Sequence, residues 1–196
     1  TQPPTLDESL VLYEQLRLIR RSEEYIIQHY SSDEMKTPMH MSMGQEPAAV
    51  GVCAVLDERD TVWGYYRSHA LYLSRTGDTD TFFSELYGRA TGTAEGKAGS
   101  MHLASPERGY MMSSAIVAGS IPPTLGAAFA NKTRKNGAIA VVFFGDGAMD
   151  EGGFWESLNA ACAMRLPVLF VCEDNGMAVH TGVEVRRGYH SVAGLL

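Results

Sequence analysis

Ala138-Ile139-Ala140-Val141-Val142-Phe143-Phe144-Gly145-Asp146-Gly147 and, further on, Pro167-Val168-Leu169-Phe170-Val171-Cys172-Glu173-Asp174-Asn175 are the two stretches whose reading decides the fold. Each is an uninterrupted apolar run that stops on acidic or amide residues. Between them, residues 154–164 place Trp155, Leu158 and Ala161 or Cys162 on neighbouring turns of a helix. Runs apolar at every position belong to strands covered on both faces, and such strands pair in parallel through a crossover helix. The expectation is a βαβ unit in a parallel sheet flanked by helices, fold class α/β.

Working outward, Gly119–Lys132 reads as a helix after its prolines, and Gly88–Met112, rich in glycine and poor in periodic apolar residues, as an ordered loop region. A long irregular stretch in a compact domain is usually functional. Upstream, Thr79–Tyr87 predicts a helix and Thr61–Tyr66 a short buried strand. Gly44–Leu56, with Pro47 near its start, predicts a tightly packed helix. From Thr5 to Tyr30, Leu12, Leu16, Ile19, Ile26, Ile27 and Tyr30 fall mostly on one helical face, and Thr5 and Glu8 are spaced as a capping box. The expected organisation is one domain over residues 1–196, with 1–60 as a helical N-terminal segment.

The 196 residues carry 16 Lys plus Arg against 23 Asp plus Glu, a formal charge of −7, with no basic run. Such a chain is a poor candidate for holding nucleic acid by its phosphates, or an anionic membrane. No stretch has the apolar length of a membrane span, so the reading is an intracellular soluble protein. Cys53, Cys162 and Cys172 have no zinc-like spacing and sit among apolar neighbours, which predicts reduced core residues.

Ligands of open parallel sheets bind outside the carboxyl ends of the strands, where the sequence places Asp146 and Asn175. Carboxylate and carboxamide oxygens suit a hard cation such as Mg²⁺, which completes its shell with phosphate oxygens and water. Gly145 and Gly147 let backbone N–H groups approach a phosphate. A magnesium-bridged diphosphate is the natural ligand of that arrangement. Taken alone, Gly145-Asp146-Gly147 is better read as a plain strand-to-helix turn with a helix-capping Asp.

Those residues, with Glu156, Leu158-Asn159 and Leu166-Pro167, continue upstream into His40, Met43-Gly44-Gln45-Glu46, Tyr66-Arg67-Ser68-His69, Gly96-Lys97-Ala98-Gly99-Ser100-Met101-His102 and Ala115-Ile116-Val117. The set resembles the α subunit of the thiamine diphosphate-dependent decarboxylating component of 2-oxo acid dehydrogenase complexes, the family of pyruvate, acetoin and branched-chain 2-oxo acid dehydrogenases. The resemblance implies a thiamine diphosphate-binding fold. It implies Mg²⁺ held by Asp146, Asn175 and the Met177 carbonyl, and diphosphate contacts from Gly147, Ala148, Arg67 and Tyr66. Val117 and the backbone at Ala115 would hold the aminopyrimidine. His69 and His40 resemble the histidines on the substrate side, although each also reads as a hydrogen-bonded structural histidine; His102, expected to order the glycine-rich loop, and His180 and His190 are weaker candidates.

The implied reaction is decarboxylation of a 2-oxo acid, or acetoin cleavage, with the acyl group passed to a lipoyl-bearing acyltransferase. The implied partner is a β subunit supplying the activating glutamate, in a heterotetramer. Departures from the family pattern stand at Asp174, where Asn is common, Met177 (Tyr), Ala70 (Gly) and Ala115 (Gly). Ala115 narrows the space beside the aminopyrimidine. Family chains continue past the equivalent of Leu196, so the expectation is a domain lacking its C-terminal part, either a fragment or one half of a split subunit. Two other functions fit the same motifs: a transketolase-like, carboligating thiamine enzyme, and a truncated, non-catalytic binding subunit.

Overall fold

The computed structural model describes residues 3–189 and 191–195, so the candidate His190 lies outside the described residues. Four parallel strands, β1 (Thr61–Trp63), β2 (Tyr110–Met112), β3 (Ala140–Gly145) and β4 (Val168–Glu173), form one sheet in the order β2-β1-β3-β4. β3 is central, pairing along its length from Ala140 opposite Val168 to Gly145 opposite Glu173, and on its other side from Thr61 opposite Ala140 to Trp63 opposite Val142.

Alternation along β3 divides the core in two. Val141 and Phe143 join Val62 in a cluster with Ile19 and Ile26 of α1 (Leu6–His29), Val50 of α2 (Glu46–Cys53), Leu73 of α3 (His69–Thr76) and Phe82 of α4 (Thr79–Leu86). Val142 and Phe144 point the other way, to Ile121 of α5 (Ile121–Arg134) and Phe154 of α6 (Gly152–Ala163). The sheet therefore has helices on both faces, and β3-α6-β4 is the parallel βαβ unit that the two apolar runs predict.

Thr5 caps α1 as expected: the Glu8 N–H donates to Thr5 Oγ1 at 3.3 Å, and the Thr5 N–H donates to Glu8 Oε2 at 2.7 Å. Pro47 stands in the first turn of α2, where no N–H partner is lost. After β1 the chain turns sharply at Gly64, where an added Cβ would come within 2.5 Å of Ser68 Oγ. Ser68 Oγ instead accepts the Tyr65 N–H at 2.8 Å, fixing the turn that carries Tyr65, Tyr66 and Arg67.

Several expectations are corrected. Ile27 and Tyr30 are exposed, and the buried side of α1 is Ile19, Ser22, Glu23 and Ile26. β1 ends at Trp63, and the motif after it opens a helix, α3. The glycine-rich stretch closes on a three-residue strand, β2, which pairs with β1. β4 is an edge strand among the described residues, with Leu169 42% exposed, so its apolar run is not buried on both faces. The cysteines are free; Cys53 and Cys172 are half-buried against the core, but Cys162 is exposed.

The order β2-β1-β3-β4 has one consequence for function. From β1 the chain moves outward to β2, then returns past β1 to build β3 and β4. The direction of winding reverses between β1 and β3, which opens a crevice at their carboxyl ends where no crossover covers the sheet.

Candidate functional site

That crevice is a cavity of 280 Å³ to which the carboxyl ends of all four strands lead. Tyr65, Tyr66 and Arg67 enter from β1, Val117 and Ala118 from the segment between β2 and α5, Asp146, Gly147 and Ala148 from β3, and Glu173, Asn175 and Met177 from β4. Eight predicted site residues, Tyr66, Arg67, Val117, Asp146, Gly147, Ala148, Asn175 and Met177, thus line one cavity, although they come from four separate parts of the chain. Larger grooves of 620 Å³ beside the glycine-rich loop and 980 Å³ beside the start of α1 hold none of the predicted site residues.

Three predicted residues, Ala115, His40 and His69, do not line the cavity. His69 opens α3 in the core, fully buried, with Nδ1 2.6 Å from Glu23 Oε1 and Nε2 2.6 Å from Ser100 Oγ. Both ring nitrogens are committed to protein partners, so His69 ties α1 and the glycine-rich loop to the start of α3 and touches no open space. The other Glu23 oxygen accepts the Ser42 N–H at 2.6 Å. His40 packs edge-on against the cavity residue Tyr66, ring centroids 4.8 Å apart, and its buried Nδ1 has no hydrogen-bond partner among the described residues. Burial holds the His40 imidazole below its ordinary value, and the charges of Arg67 and His69 add to this. His102 and His180 are exposed and outside the cavity. Glu85, not His102, orders the glycine-rich loop, accepting N–H bonds from Ala94, Gly96, Ala98 and Gly99 at 2.8–3.0 Å.

Asp146 opens a 3₁₀ turn directly after β3, and its residue is 1% exposed. Its Oδ2 accepts from Arg186 Nη2 and lies 3.5 Å from Arg187 Nη2, while its carbonyl accepts from Arg187 Nη2 at 3.0 Å. Arg186 also pairs with Asp150. An added Cβ at Gly147 would lie 3.0 Å from Ala178 Cβ, tight enough that the following hairpin, β5 (Met177–Ala178) with β6 (Thr181–Gly182), would have to give. Asn175 Oδ1 accepts the Met177 N–H at 2.9 Å, which leaves it one lone pair. Arg67 donates through Nη1 to the Met41 carbonyl at 2.6 Å and keeps its other donors.

These groups fit a divalent ion bound to a diphosphate. Asp146, Asn175 and a main-chain carbonyl are hard oxygen donors, and a guanidinium already stands in for a cation on Asp146. Among the described residues no three His, Cys, Asp or Glu side chains gather as a metal cluster, so any ion here would depend on amide, carbonyl and ligand oxygens.

Three residues that the sequence reading left without a role, Tyr65, Ala118 and Glu173, belong to the site. The Tyr65 hydroxyl donates to Glu173 Oε2 at 2.8 Å inside the cavity. Burial pushes the Glu173 carboxyl up to about 7, against the opposing effects of this bond and of the Arg67 charge. Ala118, with φ +60°, holds a left-handed turn at the cavity wall. Arg186 and Arg187 gave no signal beyond a charged loop.

No helix among the described residues is long and apolar enough to cross a membrane. The sequence profile of the dehydrogenase E1 component family matches residues 14–194. The α subunit of acetoin:2,6-dichlorophenolindophenol oxidoreductase of Bacillus subtilis (strain 168) is 34% identical over 189 residues, covering 96% of this chain and 57% of that protein. The pyruvate dehydrogenase E1 component α subunit of Zymomonas mobilis is 38% identical over 179 residues, covering 91% of this chain and 51% of that protein. This chain spans about half the length of the curated relatives it matches. A solved structure of a putative thiamin diphosphate-dependent enzyme from Mycobacterium smegmatis aligns with TM-score 0.46 and 16% identity, covering 72% of this chain and 24% of that one. With nearly its whole length inside the matching profile, the chain belongs to the dehydrogenase E1 component family.

Proposed function

We propose that the chain is the thiamine diphosphate- and Mg²⁺-binding portion of an E1 α subunit that decarboxylates a pyruvate-like 2-oxo acid or cleaves acetoin. In this reading it works with a β subunit that supplies the activating glutamate, in a heterotetramer, and hands an acyl group to a lipoyl-bearing acyltransferase. Its place is the cytoplasm, or the mitochondrial matrix in a eukaryote. One observation carries the reading: the cavity at the reversal of the strand order is lined by the eight residues that the motif assigns to diphosphate, metal and ring contacts. The printed names of the relatives support the reaction class.

When bound, thiamine diphosphate supplies a nucleophilic carbon and an electron sink, chemistry that the side chains of this cavity lack. Asp146 and Asn175, with the Met177 carbonyl, would hold Mg²⁺. The Arg67 fork matches phosphate oxygens and would anchor the diphosphate. Gly147 and Ala148 present main-chain N–H groups beside Asp146, and the bare Cα of Gly147 permits close approach. Val117, 46% exposed at the cavity wall, offers an apolar shelf to an aromatic ring. His69, held between Glu23 and Ser100, positions the start of α3.

Calorimetry with thiamine diphosphate tests this directly. The parent protein binds it in a Mg²⁺-dependent manner, and Asp146→Ala lowers that affinity about a hundredfold. Equal binding by the two proteins sinks the reading.

A further inference from the structure

The Asp146 carboxylate, 2% exposed, is already paired with a cation. Arg186 Nη2 donates to Oδ2, the second amino group of the same guanidinium binds Asp150, and the Arg186 side chain is itself only 10% exposed. Arg187 stands behind it, 8% exposed, 3.5 Å from Asp146 Oδ2, 3.6 Å from Asp150 Oδ1 and 3.7 Å from Asp174 Oδ2. Both arginines follow the β5–β6 hairpin on the short helix α7 (Val183–Arg186) and its cap, a segment that also packs on Gly147 through Ala178. A buried carboxylate without a cation is costly, so a positive group must sit there when no metal does. A carboxylate oxygen that serves as a metal ligand has to give up a strong donor aimed at it.

We propose that Arg186 is the residue that holds the Asp146 site in the absence of metal: guanidinium and divalent ion exclude each other at Asp146 Oδ2. The binding of the ion transfers Arg186 wholly to Asp150. This rests on the metal assignment above and adds a residue that sets metal affinity without ligating the metal. Arg187, whose contact with Oδ2 at 3.5 Å is the longer of the two, stays in place through its bond to the Asp146 carbonyl and its contacts with Asp150 and Asp174. The exchange couples metal occupancy to the position of α7 at the cavity rim.

The test is titration of the protein with Mn²⁺ alone, followed by electron paramagnetic resonance, in the parent, Asp146→Asn and Arg186→Gln. Arg186→Gln removes the competing charge while keeping a side chain of polar character, and binds Mn²⁺ at least about tenfold more tightly than the parent. Asp146→Asn loses the site. Equal or weaker binding by Arg186→Gln, with Asp146→Asn still defective, overturns the exchange and leaves the metal assignment standing. If the parent and Asp146→Asn bind alike, the metal assignment fails and the exchange fails with it. A second measurement needs no variant: Mg²⁺ added to the parent speeds amide hydrogen exchange at Val183–Arg187, and unchanged exchange at saturating Mg²⁺ overturns the proposal.

Discussion

The Tyr65 hydroxyl and the Glu173 carboxylate meet at 2.8 Å across the end of β3, joining the chain that leaves β1 to the last residue of β4. The two are 108 residues apart, and both line the cavity. Glu173 pays for this position with a carboxyl raised to about 7 by burial. An acid whose folded value is raised stabilises the fold in its protonated form. That contribution is complete below the ordinary carboxylate range and is lost as the pH rises through about 7. In Glu173→Gln the loss disappears, so the stability advantage of the variant over the parent grows from pH 4.5 to 7 and reaches at most about 3 kcal/mol. In Tyr65→Phe the carboxyl titrates higher than in the parent, because a donor to its charged form is gone. Urea denaturation across pH and carboxyl carbon NMR read the two effects.

Glu85 shows the opposite sign. Burial alone would raise its carboxyl, but N–H donors from Ala94, Gly99, Gly96 and Ala98 outweigh that and bring it below the ordinary range. Its stabilisation is present above that range and lost as the pH falls through the depressed value. Glu85→Ala leaves those main-chain donors without their acceptor and costs at least about 3 kcal/mol near neutral pH. The deficit shrinks on acidification, and limited proteolysis of the variant cuts first within residues 88–99.

His69→Ala removes one member of a fully buried pair and leaves Glu23 Oε1 without its partner in the core. The expected loss is about 3–5 kcal/mol of stability. The folded fraction keeps its cofactor affinity within a few fold, because His69 touches no cavity atom. A large loss of affinity at unchanged stability, measured by calorimetry beside urea melts, contradicts this placement.

Arg67→Lys keeps the charge but not the fork, so it weakens diphosphate binding by about 1–2 kcal/mol. Inorganic diphosphate with Mg²⁺ is a sufficient probe, and an unchanged affinity removes Arg67 from the diphosphate contacts.

β3 and β4 were legible in the sequence because each is apolar up to its last residue, and α1 because Thr5 and Glu8 mark its start. α3 was not, since His69 to Ser74 are all buried and a helix covered on every side has no stripe to reveal it. β2 is three residues in a glycine-rich stretch, and its pairing with β1 depends on long-range register that no local pattern encodes. In the site, Asp146 and Asn175 announced themselves by oxygen chemistry at strand ends. His69 carries the same residue type as a catalytic histidine, and only Glu23, contributed by a distant helix, assigns it to the core. Arg186 and Arg187 became part of the site only through the hairpin that folds them back onto Asp146.

The most direct measurement is a crystal of the protein grown with thiamine diphosphate and Mn²⁺, examined for anomalous scattering. The account predicts one metal peak bound by Asp146 Oδ, Asn175 Oδ1 and the Met177 carbonyl, at roughly 2.0–2.3 Å from each, with Arg186 withdrawn from the carboxylate. A cofactor bound with its diphosphate remote from Asp146, or a metal that leaves Asp146 paired with Arg186, contradicts it.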